Sequence, residues 1–127
     1  MYVFLSIRLS VEKGIYAVCK LKEAYLPQAK DFLSLTVTEE EFSLVCKQES
    51  IPAVATKVQG DFALLKLEGH LDFSLVGILA GISDALAKEK ISIFCVSTYN
   101  TDYILLREKE LERGISALQK NDYVIDI

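Results

Sequence analysis

The order of hydrophobic and polar positions divides this chain into short strand-like runs, two helical stretches and a few polar breaks. Phe62 to Leu67 (FALLKL), closed by Glu68, Gly69 and His70, predicts a strand. Leu75, Ile78, Leu79, Ile82 and Leu86 then recur at helical spacing, with Asp72 as the expected N-cap and Ser83, Asp84, Lys88 and Glu89 leading to a charged end. Ile91 to Val96, rich in β-branched and aromatic residues, predicts a second strand, and Tyr103 to Leu106 a third. The polar stretch from Ser97 to Asp102 between them predicts a hairpin whose tip offers hydroxyls, an amide and a carboxylate. Glu108 and Glu110 favour a helix start, Leu111, Ile115 and Leu118 line one face, and Tyr123 to Ile127 closes as a strand.

This order, β-α-β-β-α-β, predicts an α+β fold of the ferredoxin-like kind, an antiparallel sheet with both helices on one face. The opposite face would be bare and in need of a cover, from a second copy or a partner. The first half supplies strand-like runs at Val3–Leu9, Ile15–Leu21, Phe32–Val37 and Phe42–Lys47, with no helix of comparable length among them. Thr38 and Glu41 have capping-box spacing, which predicts a single helical turn there. Glu49 to Gly60, with Pro52, is expected to connect the halves and is too short and mixed for a flexible linker. The expected organisation is an abbreviated module over residues 1–57 and a full one over 58–127, in tandem.

Composition narrows the function. Fourteen Lys and Arg against eighteen Asp and Glu give a net charge of −4, which repels a phosphate backbone and argues against nucleic acid. The chain is 51% hydrophobic, yet no apolar run approaches the ~20 residues of a membrane span, and Arg8 lies within or after the first apolar run rather than before it, unlike a signal peptide. Cys19, Cys46 and Cys95 are odd in number and form no CxxC, so reduced thiols in a cytoplasmic protein are expected, with no metal site and no cofactor. Neither GxGxxG nor GxxxxGK[ST] occurs, and Ser74, His70 and Asp102 lack a nucleophile-elbow signature. Glu39, Glu40 and Glu41 are most simply a solvated acidic turn.

The segments DFLSLTVTEEEFSLVC (Asp31 to Cys46), LEGHLDFSLVGILAGISDAL (Leu67 to Leu86) and ISIFCVSTYNTDYILLRE (Ile91 to Glu108) resemble small tandem ACT-domain proteins, related to the ACT regions of aspartate kinases and to the halves of the CASTOR arginine sensors. The resemblance implies βαββαβ modules that pair their sheets and bind free amino acids where modules meet. Carried over by position, the pocket it implies comprises Gly69, Asp72 and Gly77 from the loop and helix start, with Thr98, Tyr99, Thr101 and Asp102 from the hairpin. The chemistry suits a zwitterion: helix-start N–H groups for a carboxylate, and Asp102 for an ammonium. Leu75 stands where the arginine sensors place a carboxylate, which argues against arginine and admits an apolar or small ligand. Other readings stay open: Asp102 as a turn cap, Asp72 as an N-cap, Gly77 and Gly81 as packing glycines. The expected function is a non-catalytic amino-acid sensor or regulatory protein, homodimeric, whose regulated partner is unspecified. Its alternatives are a ligand-free interaction module and, third, a small hydrolase using His70.

Overall fold

The computed structural model describes residues 7–25, 33–68 and 77–127. Its strands are β1 (Arg8–Val11), β2 (Tyr16–Leu21), β3 (Leu33–Val37), β4 (Phe42–Lys47), β5 (Ala55–Leu67), β6 (Ile93–Ser97), β7 (Asp102–Arg107) and β8 (Val124–Asp126); its helices are α1 (Ile78–Lys88) and α2 (Leu111–Lys120). Single 3₁₀ turns follow β4 at Gln48–Ser50 and β7 at Glu108–Glu110. Two compact units result, Gly14–Phe62 and the described residues of 1–13 and 63–127, with β5 running from one into the other.

In the larger unit the strand order is β6-β7-β5-β1-β8. The β6–β7 and β1–β5 pairs are antiparallel and the β1–β8 pair is parallel. Both helices cover one face: Ile82 and Leu86 of α1 and Leu118 of α2 share a fully buried cluster with Leu9, Leu65, Leu67, Ile104 and Leu106. Each such side chain contributes about 1.5–3 kcal/mol by leaving water, which is why the helical and strand periods converge on this face. Both helices stop in the same way. Lys90 and Asp122 take positive φ, and the N–H groups of Ile91 and Tyr123 reach back to the carbonyls of Leu86 and Leu118, a Schellman closure that satisfies otherwise orphaned carbonyls.

The α+β ferredoxin-like expectation is met, with several local corrections. α1 begins at Ile78 with Gly77 in the N-cap position, at φ 83° and without a side-chain cap, so Asp72 does not cap this helix. β1 lies further along than the expected Val3–Leu9 run, whose first residues fall outside the described ones. The stretch expected to connect the halves is half strand, because β5 starts at Ala55. Thr56 and Val58 suit an extended chain, and the register against β2 shifts twice, at Thr56 and at Gly60–Asp61, where Asp61 has φ 61°. Gln48 secures that irregularity by accepting the Asp61 N–H at 2.6 Å and donating to its carboxylate at 3.2 Å. A Cβ at Gly60 would overlap the same Gln48 oxygen.

The face opposite the helices is not uniformly bare. Leu64 alternates with Ala63 and Leu65 along β5, and Leu105 alternates with Ile104 and Leu106 along β7, so both point away from the helix-side cluster. Both are nevertheless fully buried within the single chain.

The smaller unit has the order β3-β4-β2-β5, all antiparallel. Its core is Ala17, Cys19, Leu21, Leu44 and Cys46, with Ile51, Val54 and Phe42 packed against it. Thr38–Glu41 forms no helical turn; it closes the β3–β4 hairpin.

The strand registers of the two units repeat. β3 and β4 pair Leu33 with Cys46 through Val37 with Phe42, and β6 and β7 pair Ile93 with Leu106 through Ser97 with Asp102, every residue 60 positions on. β4 and β7 share one burial pattern, half-buried at both ends and buried over the three residues before the last, and each runs into a three-residue 3₁₀ turn. Upstream, Gly14-Ile-YAVCKL matches Gly60-Asp-FALLKL.

Candidate functional site

The polar hairpin is built by β6 and β7, whose last pair is Ser97 and Asp102. Its four-residue loop is closed by Thr98: the backbone N–H donates to the Thr101 carbonyl at 2.8 Å, while the hydroxyl donates to that carbonyl at 3.1 Å and accepts the Thr101 N–H at 3.2 Å. Thr38 makes the corresponding bonds to Glu41 in the first hairpin, at 3.0, 3.4 and 3.1 Å. A threonine serves here because its hydroxyl bonds nearby backbone groups that the turn leaves unpaired.

Asp102 is therefore the first residue of a strand rather than part of the loop tip, and it is half-buried. Ser97 Oγ donates to Asp102 Oδ1, and a carboxylate can accept more than one donor. Strand parity puts Asp102 on the side of Ile104 and Leu106, with Ser97 and Cys95 as neighbours on the same face. The Cys95 thiol is pushed above its ordinary range, first by desolvation and then by the Asp102 charge, which places the thiol within the carboxylate's field. Tyr99 at the tip is 83% exposed and so can reach a ligand or another surface.

Of the residues expected to form a pocket, Thr98, Tyr99, Thr101 and Asp102 share this hairpin. Gly77 heads α1, no atom of the described residues lies within 4 Å of where its Cβ would be, and the Gly81 N–H to Gly77 carbonyl bond closes the first turn. The N–H groups of Ile78 to Ala80 thus take the place expected of residues after Asp72 as the helix-start donors. Gly69, Asp72, Leu75 and His70 lie outside the described residues. Sequence reasoning missed Ser97 and Cys95 as companions of Asp102. The signal was present: alternation along a strand, once the loop is given four residues, brings all three to one face. A separate open cleft of about 470 Å³, lined by Gly14, Ile15, Lys47, Gln48 and Glu49, lies in the smaller unit. Among the described residues no group of His, Cys, Asp and Glu has a metal-ligand arrangement, and no helix is long and apolar enough to cross a membrane.

The two-helix sheet and its polar hairpin define an ACT-type α+β module. The ACT domain family model matches residues 57–120, half of the chain, and this chain belongs to that family. A second model, of an N-terminal domain family, matches residues 14–54. The human protein named cytosolic arginine sensor for mTORC1 subunit 1 is 28% identical over 82% of this chain, and its counterpart from Pongo abelii matches equally. The chain spans about a third of their length, 35%. A crystal structure of a protein from Agobacterium tumefaciens is similar at TM-score 0.85 with 29% identity, covering 96% of this chain and 93% of that one. Aspartate kinase of Clostridium acetobutylicum shares the fold at TM-score 0.63 and 14% identity over 90% of this chain and 34% of its own. The regulatory subunit of aspartate kinase from Thermus thermophilus does so at 0.60 and 10%, over 88% and 95%.

Proposed function

We propose that this chain is a tandem of ACT modules, abbreviated over residues 1–57 and full over 58–127, that binds a free amino acid where modules meet and acts as a non-catalytic sensor or regulatory protein of the cytoplasm. The observation that carries the reading is the Ser97–Asp102 pair on the polar hairpin of a chain in the ACT family. A half-buried carboxylate oriented by a neighbouring hydroxyl is suited to an α-ammonium, and helix-start N–H groups are suited to an α-carboxylate. The pocket comprises Gly69, Asp72, Gly77, Thr98, Tyr99, Thr101 and Asp102. The 60-residue repeat of the hairpins supports the tandem arrangement. The names of the relatives, an arginine sensor and a kinase regulatory subunit, support regulation by an amino acid. Binding requires no bond to be made or broken. It alters a partner's state only through different affinity for two arrangements of the protein.

Thermal denaturation with each common free amino acid tests the proposal. A ligand at 100 times its dissociation constant is expected to stabilise the fold by about 2.7 kcal/mol. Absence of a shift with every amino acid would count against the sensor reading and favour an interaction module.

A further inference from the structure

We infer that the ligand-holding corner exists in the second repeat and has no counterpart in the first, so that each chain carries one amino-acid site and Ser97 and Asp102 fix its ammonium end. The inference deepens the function proposed above and rests on it. Because the two hairpins share register, loop length and threonine closure, they form the same backbone shape, and differences in what they bind lie in the side chains. At the positions of Ser97 and Asp102 the first hairpin has Val37 and Phe42. Val37 is 60% exposed, and Phe42 packs against the core of the smaller unit. An ammonium brought to the Val37–Phe42 pair would lose hydration and find no side-chain acceptor in return, a cost that is offset at Ser97–Asp102 by a charge-assisted hydrogen bond. Glu39, Glu40 and Glu41 do not substitute for the missing carboxylate: all three are exposed at the loop, where solvent screens them.

Calorimetric titration of the full chain with free L-amino acids, each used singly as the probe, decides the matter. The expected result is one equivalent bound per chain. Asp102→Asn should weaken that binding about tenfold to a hundredfold, as expected for loss of a hydrogen bond to a charged group. Phe42→Leu should leave both stoichiometry and affinity unchanged. Asp102→Ser serves as a second variant, and the circular dichroism and melting temperature of each ligand-free variant establish that it folds. Two equivalents per chain, or a single equivalent that survives both Asp102 substitutions, would overturn the inference while leaving the amino-acid-binding function standing. If the wild type takes up no amino acid at all, the function itself fails, and the one-site assignment with it.

Discussion

At the scale of single residues, the two buried thiols show how far position governs chemistry. The Cys46 thiol is pushed up to about 12, by desolvation first and then by the nearby Cys19 charge and their side-chain hydrogen bond. Cys19 is also raised, by burial, with the Cys46 bond acting in the opposite direction. Since the folded thiol of Cys46 holds its proton above the pH at which an unfolded thiol releases it, its contribution to stability is complete below about pH 9 and is lost as pH rises toward about 12. Denaturant midpoints measured across that alkaline window should fall, and Cys46→Ala should make the fall shallower; an identical slope in both proteins would contradict the assignment. These two were legible in the sequence as core residues, because they sit in strand-like runs without a ligand motif, whereas Cys95, read as a core thiol on the same grounds, is exposed on β6. The pairing of Cys19 with Cys46 was not legible, since it depends on the diagonal across β2 and β4. Asp102 is a similar case: its polar setting was visible, but its place in β7 and its bond to Ser97 follow from a hairpin register that local composition does not encode.

Among the elements, α2 sits tightly against the sheet. A Cβ on Gly114 would stand 2.8 Å from Leu106 Cδ1 and 3.6 Å from Leu86 Cδ2, both on fully buried side chains, so the helix can approach the sheet only while that position is empty. Gly114→Val should lower the unfolding free energy by about 1–3 kcal/mol through overpacking, a loss that urea denaturation would detect; unaltered stability would mean that the core has slack to absorb it. Helical periodicity made both helices legible, because each apolar stripe faces a single cluster. The beginning of β5 was obscured for a physical reason. Thr56 to Gln59 are exposed and include Lys57 and Gln59, so the segment resembles a connector until the pairing with β2 is known. Thr38 and Glu41 misled in another way: side-chain bonding to nearby N–H groups begins a helix in one context and closes a hairpin in another, and only flanking strand pairing separates the two.

For the molecule as a whole, β3 and β6 pair on one side only among the described residues, to β4 and β7, and exposed Val37 and Phe94 lie on them. Such edges template association, which favours a homodimer; light scattering at micromolar concentration is expected to return twice the chain mass, and a monomer would remove this expectation. Strand order was not legible in the sequence, because pairing between distant strands leaves no local pattern. The position of β1 illustrates the point. In the smaller unit β2, the counterpart of the end of β5, pairs with the segment that follows its own repeat, but in the larger unit β1 stands between β5 and β8. The stretch matched by the ACT model, residues 57–120, therefore includes neither β1 nor β8 of this sheet. During synthesis, Arg8–Val11 emerges from the ribosome long before Val124–Asp126, and its outer edge waits for a partner until nearly all of the described chain has been made.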